Sequence, residues 1–389
     1  MPKQIYLDNA ATTKISKEVL VAMLPFLKEN YGNPSSLHSL GRKSSTAVEE
    51  ARRQVADLIN AHPNEIILTS GGTEADNLAL FGVANIKKKG HIITSTIEHP
   101  AILEACNHLE KNGFSVTYVK VDKDGFVNPA DVEKSIRKDT MLVTIMHANN
   151  EIGTIQNIRE IGKICREKKV LFHTDAVQSI GKLPIDVVKD NIDLLTISSH
   201  KIYGPKGVGA LYVKTGVKLE PLVFGGGQEK AIRSGTENVS GIIGFGKACE
   251  TAKKDLKDVE KIKKLRDKLI LGVLGEIDHS WLNGSQENRL ANNVNFGFKY
   301  IEGEAIIYAL DAKGICSSTG SACSSHKLEP SHVLLAIGLK HEDAHGSVRL
   351  TLSKYTTEKE IDYVIKVLPD VIKRLREISP FKGEDGKKC

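Results

Sequence analysis

The sequence has few of the features that mark secreted, membrane or metal-bound proteins. Its 389 residues include six cysteines, and no two of them form a CxxC pair. This argues against both a disulfide framework and a structural zinc site. The sequence contains no run of about 18 uncharged apolar residues, the length that a membrane-spanning helix needs. Its N-terminus turns polar before an apolar run reaches the length of a signal peptide. We therefore expect a cytoplasmic protein whose cysteines are free thiols.

Charge of one sign is not concentrated anywhere in the chain either. The 54 lysines and arginines exceed the 48 aspartates and glutamates by six, and they are spread along the sequence. A surface that binds nucleic acid normally appears as a basic stripe or cluster. We therefore expect neither nucleic acid nor membrane among the partners of this protein.

The chain does contain a repeated alternation of strand-like and helix-like segments. EIILTS precedes GGTEADNLALFGVANIKKKG, and HIITST is followed shortly by HPAILEACNHLEKNG. Such alternation predicts a largely parallel sheet covered by helices, so we assign the α/β class. Because 40% of the residues are hydrophobic, the chain can bury an ordinary core, and its length allows two domains.

A predicted helix connects the two domains. In KKDLKDVEKIKKLRDKLILGVLGEI, apolar residues from Leu256 to Leu269 recur every three or four positions, which predicts one long amphipathic helix. Beyond it, NNVNFGF and GSVRLTL indicate a smaller α+β unit. We predict a large domain over residues 16–262 and a small domain formed by 1–15 and 263–389.

The most informative segment is DLLTISSHKIYGPKGVGALYV. An apolar strand leads directly to Lys201, which is followed by a loop rich in glycine and proline. A lysine held at a strand end by a tight loop can be desolvated and pre-positioned, which suits a Schiff-base lysine. The alternative is an ordinary lysine on a surface loop.

Two further strand ends carry groups that suit the same chemistry. Asp175 ends the apolar strand of VLFHTDA and could meet the cationic ring nitrogen of pyridoxal phosphate, or it could be a helix cap. Residues 71–73, Gly-Gly-Thr, lie between a strand and a helix. Their N–H groups and hydroxyl could cradle a phosphate, or they could form an ordinary turn.

These segments resemble the NifS/IscS-type cysteine desulfurases, which are pyridoxal-phosphate enzymes of the class V aminotransferase-like group. The likeness runs in order from Tyr6 to about Leu375 and includes YLDNAATT, YGNPSSLH, IEHPAIL, MHANNEIG, RSGTEN and GSACSSHKLEPSHVLLAIG. It implies a fold type I transferase with a mostly parallel seven-stranded sheet in the cofactor-binding large domain. The small domain would carry a catalytic cysteine loop. The implied reaction removes sulfur from L-cysteine and gives L-alanine.

The resemblance also implies a role for each motif residue. Lys201 would carry the cofactor and move the proton at the substrate's Cα, while Asp175 would keep the ring nitrogen protonated. His99 would be catalytic, stacking on the ring and exchanging protons there, and Gln178 would contact the phenolic oxygen. The phosphate would be bound by Gly72, Thr73, Ser198, His200 and, from a second subunit, Thr236. Arg349 would clamp the substrate carboxylate with help from Asn33 and from Asn150, which is implied in cofactor binding as well.

Each of these residues also has an ordinary structural explanation when it is taken alone. His99 could cap a helix, Gln178 could be a satisfied core amide, and Arg349 could form a structural ion pair. Only their joint occurrence favours the site. Because one phosphate ligand would come from a second subunit, the resemblance implies a homodimer.

Cys323 lies among serines in SSTGSACSSHKLEP, where no apolar wall can enclose it. The resemblance implies that its thiolate takes the sulfur as a persulfide and hands it on, and that His326 and Lys327 could favour the thiolate. The uninterrupted segment resembles the long-loop subgroup, which delivers sulfur to iron–sulfur scaffold proteins.

Other functions have weaker support. HEDAH, from His341 to His345, matches the zinc motif HExxH, but Gly338 and Gly346 bracket it and no third ligand is evident, so we expect no metal. GIIGFGKA lacks the hydroxyl and the preceding strand of a nucleotide-binding loop.

A selenocysteine lyase or another class V aminotransferase-like enzyme could share the cofactor site. Cys323 favours sulfur removal, because a transaminase needs no thiol there, and a non-catalytic scaffold would be expected to have lost it or Lys201.

Overall fold

The computed structural model describes residues 4–320 and 330–380. The strands within this part are β1 Ile5–Tyr6, β2 Ile66–Thr69, β3 His91–Ser95, β4 Ser115–Val119, β5 Thr140–Thr144, β6 Leu171–Asp175, β7 Leu194–Ser198, β8 Gly209–Val213, β9 Ser280–Leu282, β10 Asn293–Phe298, β11 Ile315–Cys316 and β12 Ser347–Thr351. The α-helices are α1 Lys17–Lys28, α2 Ser39–Leu58, α3 Gly72–Lys87, α4 Pro100–Lys111, α5 Pro129–Ser135, α6 Ile158–Lys168, α7 Val239–Asp255, α8 Val259–Glu276, α9 Gly303–Asp311, α10 His332–Ala336, α11 His341–His345 and α12 Glu358–Ile378.

The central feature is a seven-stranded sheet in the order β2-β8-β7-β6-β5-β3-β4. β8 runs antiparallel to both of its neighbours, while the other contacts between strands are parallel. The predicted α/β class and the mostly parallel sheet are therefore confirmed. Because parallel strands end at the same edge, the carboxyl ends of β6 and β7 place Asp175 and Ser198 side by side.

The large sheet is buried on both faces. Leu142 and Val143 are neighbours in β5, yet they belong to different apolar clusters, because successive side chains of a strand point to opposite faces. α3 and α4 cover one face, and α2, α6 and α7 cover the other. Continuous apolar strands such as IILT and LLTIS fit this arrangement, since neither of their faces meets water.

A second sheet, smaller and antiparallel, has the order β12-β10-β9. Its core joins Phe296 and Leu350 to apolar residues of α8, α9 and α12. Near the N-terminus, β1 pairs in parallel with β11, so the first strand lies against the C-terminal part of the chain. The domain boundaries given above stay a prediction.

The predicted long helix is in fact two helices. α7 ends at Asp255 and α8 begins at Val259, with a single 3-10 turn at Leu256–Asp258 between them. The backbone keeps helical angles through Asp255, Leu256 and Val259, so the apolar spacing continues across the junction. Periodicity could therefore not reveal the change in hydrogen bonding. In the part of the chain that the structure describes, no helix is both long and apolar enough to cross a membrane.

Candidate active site

Lys201 is held at the carboxyl edge of the large sheet. It ends the 3-10 turn that follows β7, and its Nζ donates to the carbonyl oxygens of Ala10 at 2.5 Å and Ala11 at 2.8 Å. Thr13 fixes the same turn, because its N–H and hydroxyl both donate to the carbonyl of His200 at 2.9 Å. The YLDNAATT segment thus contacts Lys201 and fixes the orientation of its side chain.

Asp175 ends β6 and is buried, with 6% of its surface exposed. One carboxylate oxygen accepts the N–H of Val177 at 2.8 Å. Burial raises the pKa of Asp175 to about 6, although this N–H and the charge of Lys201 act in the opposite direction. A cationic ring nitrogen would supply the counter-charge that this carboxylate needs.

Replacing this carboxylate is expected to stabilise the cofactor-free protein rather than destabilise it. In the cofactor-free protein, Asp175→Asn should raise the free energy of unfolding by on the order of 2 kcal/mol near neutral pH. The folded-state pKa of Asp175, about 6, lies above the ordinary value of 3.8. The folded state therefore binds more protons in this interval, and wild-type stability falls as the pH rises through it. Above about pH 6 the folded wild type carries the full free-energy cost of a buried negative charge, and the uncharged Asn variant does not.

Denaturant unfolding of both cofactor-free proteins at about pH 4 and about pH 7.5 measures the effect. The two proteins should be close in stability at the lower pH, because the folded-state carboxyl is protonated there and the unfolded-state carboxyl is itself roughly half protonated, so little of the cost of the buried charge remains. In the cofactor-loaded protein the substitution should destabilise instead, because it removes the partner of the ring nitrogen. A cofactor-free variant that is less stable than wild type at neutral pH would contradict this account.

The start of α3 forms an open cradle beside Ser198. Its N-cap, Gly71, has no side chain, so no side-chain cap occupies the first N–H groups of this helix. A Cβ at Gly72 would come within 3.0 Å of the Val177 side chain, so glycine lets the helix approach the sheet edge closely. The Ser198 hydroxyl is buried and has no hydrogen-bond partner among the described residues. This constellation fits a phosphate group.

His99 shows that a structural and a chemical role are compatible. Its Nδ1 accepts the N–H of Ala101 at 3.1 Å and caps α4, as the structural alternative proposed. Burial, together with the charges of Lys201 and His332, lowers the pKa of His99 to about 4. The ring is therefore neutral near pH 7, and because Nδ1 accepts, Nε2 carries the proton.

Gln178 and His200 lie next to the same lysine turn. Gln178 donates from Nε2 to the carbonyl of Ala10 at 3.0 Å, and this oxygen also accepts from Lys201. His200 contacts the Thr12 hydroxyl at 3.2 Å through Nδ1. Burial lowers the pKa of His200 to about 4, with smaller effects from Lys201 and other lysines, so this ring is neutral as well.

Arg349 is buried in β12 and makes both polar and ionic contacts. Its guanidinium donates to the Asn150 carbonyl at 2.9 Å, to the Gly320 carbonyl at 3.4 Å and to the Asp8 carboxylate at 3.0 Å. Its Nε is buried and has no hydrogen-bond partner in residues 4–320 and 330–380. The structural ion pair considered above is thus present, with Asp8 as the partner. Asp8 is partly exposed, so an incoming carboxylate could reach this pair.

Comparison with known proteins identifies the family. An Aminotransferase class-V model matches residues 5–364. The cysteine desulfurase IscS of Dictyoglomus turgidum is 55% identical over 387 residues, which cover 99% of this chain and 98% of that protein. The cysteine desulfurase IscS of Methanosarcina thermophila is 54% identical, covering 98% and 95%. This chain belongs to the NifS/IscS-type cysteine desulfurases of the aminotransferase class-V family.

Solved structures agree with this assignment. A NifS-like protein has a TM-score of 0.90 and 40% identity, over 96% of this chain and 100% of that one. A structure described as SspA in complex with cysteine has a TM-score of 0.81 and 38% identity, over 91% and 100%. The cofactor of this cysteine desulfurase family is pyridoxal 5′-phosphate. The buried Asp175, the unpartnered Ser198 hydroxyl and the uncapped start of α3 fit this group.

Several of the predicted desulfurase residues are not assembled by the described part of a single chain. Asn33 is exposed, and its side-chain oxygen accepts the N–H of Ser35 at 2.9 Å. Thr73 and Thr236 are exposed as well. Asn150 meets Arg349 through its main-chain oxygen. Cys323, together with His326 and Lys327, lies outside the described residues, so the roles predicted for these residues stay predictions.

Sequence reasoning missed a buried polar network behind Asp175. His173 lies between the hydroxyls of Thr144 at 2.8 Å and Thr196 at 3.1 Å, with an Asp76 carboxylate oxygen 3.8 Å away. Burial, reinforced by the charge of Asp175, raises the pKa of Asp76 well above its usual range. Burial likewise raises the pKa of Glu98 to about 8. Polar residues inside otherwise apolar strands, as in LFHTD, were the available signal.

A second lysine also went unnoticed. Lys182 and Lys201 line one cavity of about 650 Å³, together with residues of α7 and α8. Lys182 donates to the Gln178 carbonyl at 2.8 Å. Burial, with a further contribution from the charge of Lys201, lowers the pKa of Lys182 to about 7. Two lysines therefore line the same cavity.

The zinc and nucleotide motifs have other structural roles. HEDAH forms α11, a helix of only five residues, in which His345 lies 3.7 Å from the Glu302 carboxylate. Within the two described ranges, no group of three His, Cys, Asp or Glu side chains could hold a metal ion. Residues 241–248, the near match to a nucleotide-binding loop, lie inside α7 and form no loop.

Proposed function

We propose that this protein removes sulfur from L-cysteine to give L-alanine, with Cys323 taking the sulfur as a persulfide. The observation that carries the proposal is the meeting of Lys201, Asp175 and the Ser198 hydroxyl at one sheet edge. This arrangement occurs in a chain that is 55% identical to proteins named cysteine desulfurase IscS. Lys201 and Cys323 are both present, as a catalyst of this reaction requires.

The residues of the site divide the work of the first steps. When bound, pyridoxal phosphate withdraws electrons from the substrate's Cα and thereby weakens its carbon–sulfur bond. Lys201 holds the cofactor and moves the Cα proton, and the Ala10 and Ala11 carbonyls orient its Nζ. Asp175 keeps the ring nitrogen protonated. His99, which is neutral and carries its proton on Nε2, is suited to exchange a proton at the ring face.

Substrate binding and sulfur transfer complete the reaction. Arg349 binds the cysteine carboxylate through its planar guanidinium, in exchange for part of its contact with Asp8. The Cys323 thiolate then attacks the substrate sulfur, so that a sulfur–sulfur bond forms while the carbon–sulfur bond breaks. The electron pair of the broken bond stays with the carbon, which takes up a proton and becomes the methyl group of alanine.

The proposed reaction can be tested by its products. The cofactor-loaded protein, supplied with L-cysteine and a thiol reductant, should release alanine and sulfide in equal amounts. Pyruvate and ammonia in place of alanine would contradict the proposal. Alanine formed from selenocysteine but not from cysteine would instead identify a selenocysteine lyase.

We also propose an iron–sulfur scaffold protein as the acceptor of the sulfur and the cytoplasm as the compartment. The name IscS of the relatives given above and the long-loop character of the Cys323 segment support this acceptor. The absence of any CxxC pair supports a reducing compartment.

A homodimer is the proposed assembly. Three large apolar side chains are exposed to solvent: Val21 and Leu27 in α1, with 57% and 58% of their surface accessible, and the loop residue Phe224, with 77%. Apolar surface of this kind is commonly covered by a partner, and a second copy could bring Thr236 to the phosphate cradle. Light scattering should therefore give twice the chain mass. Val21→Asp combined with Leu27→Asp should yield a monomer that loses cofactor on dialysis, whereas a monomeric wild type would contradict the proposal.

A further inference from the structure

The described residues on either side of segment 321–329 meet at one buried carboxylate. On the C-terminal side, the Ser331 hydroxyl donates to Oε2 of Glu151 at 2.5 Å. The same hydroxyl accepts the N–H groups of Val333 at 3.1 Å and Leu334 at 3.3 Å, which caps α10. Glu151 thus fixes the point at which the chain enters this helix.

On the N-terminal side, Gly320 lies directly against the same carboxylate. A Cβ at Gly320 would be 3.2 Å from Oε2 of Glu151 and 3.4 Å from its Cγ. Gly320 also has a φ of 95°, a conformation that disfavours other residues. Its carbonyl accepts from Arg349 at 3.4 Å. This position therefore requires a residue without a side chain, packed between Glu151 and Arg349.

Glu151 is itself held by hydrogen bonds to Asn149 and to two residues of the small sheet. It is 3% exposed, and its N–H donates to the Asn149 side-chain oxygen at 2.9 Å. Its carbonyl accepts from the side-chain amides of Asn293 at 3.1 Å and Asn295 at 3.2 Å, both in β10. A carboxylate on so constrained a backbone can serve as a fixed point for the segments that contact it.

The substrate-binding arginine is tied to the same place. Arg349 donates to the carbonyl of Asn150, the residue immediately before Glu151, at 2.9 Å. Residues 150 and 151 therefore contact the predicted ligand of the substrate carboxylate and both chain ends that flank Cys323. Because a small displacement of reacting groups can lower the rate by orders of magnitude, a residue that positions all of these segments should affect the rate of the reaction.

We propose that Glu151 is a positioning residue for sulfur transfer, because its side chain holds Gly320 and Ser331 in register with Arg349. The inference rests on the proposed function of Cys323. Glu151 touches neither cofactor nor substrate in this account. It acts through the two chain ends, so its loss should affect the transfer step rather than the binding of cysteine.

Glu151→Ala tests the proposal in the cofactor-loaded enzyme. The kcat of persulfide formation on Cys323 should fall by about tenfold or more, while KM for L-cysteine and the cofactor absorbance change little. Glu151→Gln, which keeps an oxygen acceptor for the Ser331 hydroxyl, should stay within about threefold of wild type. The rate at which iodoacetamide alkylates Cys323, which needs no turnover, should change in Glu151→Ala and not in Glu151→Gln.

A merely structural role would lower the melting temperature and leave kcat and the alkylation rate unchanged, and that result would overturn the proposal. If Glu151→Ala does not fold, Ser331→Ala removes the other member of the contact and should show the same loss of kcat at constant KM. An unchanged kcat in Ser331→Ala would then overturn it. Failure of the proposed function is distinguishable, because the wild type would then form no persulfide on Cys323.

Discussion

Cys323→Ala is expected to lose alanine formation from L-cysteine by roughly a thousandfold or more, while the protein keeps the absorbance of its bound cofactor. The loss follows from the proposed chemistry, since the thiolate is the only group assigned to receive the sulfur. The cofactor should remain because Lys201, Asp175 and the Ser198 hydroxyl all lie outside the segment that carries Cys323. Alanine and the cofactor band can be measured on the same preparation.

Cys316 provides a matched control for this experiment. It is a free, partly buried thiol in β11, and burial raises its pKa, so it is a poor thiolate. Cys316→Ala should keep alanine formation within about twofold of wild type. Equal activity of Cys323→Ala and wild type would show that another group takes the sulfur.

Lys201→Ala should eliminate both the absorbance of the bound cofactor and the reaction, with a loss of roughly 10⁴-fold or more. Lys201 is positioned for this role because its Nζ contacts the Ala10 and Ala11 carbonyls and its turn is held by Thr13 at the carboxyl edge of the sheet. The experiment compares the absorbance of variant and wild type after identical loading with pyridoxal phosphate and dialysis.

Lys206 is a suitable control, because it is an exposed lysine of the loop that follows. Lys206→Ala should retain the cofactor absorbance and most of the activity. If Lys201→Ala kept the absorbance through dialysis, a different lysine would hold the cofactor. Lys182, which lines the same cavity, would be the first to examine.

The sequence was most informative where one motif combines a strand with its following turn. Asp175 and Ser198 are the last residues of β6 and β7, Lys201 lies in the turn after β7, and parallel strands end at the same edge of the sheet. Their proximity therefore follows from local pattern and topology together. His99, in contrast, was predicted from the resemblance of the IEHPAIL motif, and the structure shows that it caps α4.

Contacts between distant parts of the chain could not be predicted. Asp8 and Arg349 are 341 positions apart, and Glu151 and Ser331 are 180 apart. Neither contact follows from periodicity or a local motif, because each depends on how distant segments are brought together: Asp8 lies beside β12 through a bridge to Thr351, and Ser331 is the N-cap of α10. Buried network residues such as Asp76 and His173 were equally hidden, since a single polar residue in an apolar segment does not name its partner.

Whether Cys323 receives the sulfur of L-cysteine can be read from the mass of the Cys323 peptide after a single turnover without reductant. We expect this peptide to gain the mass of one sulfur atom, to lose it again when a thiol reductant is added, and one alanine to form per active site. Alanine formation with an unmodified Cys323 peptide, or sulfur found on Cys316 instead, would contradict this expectation.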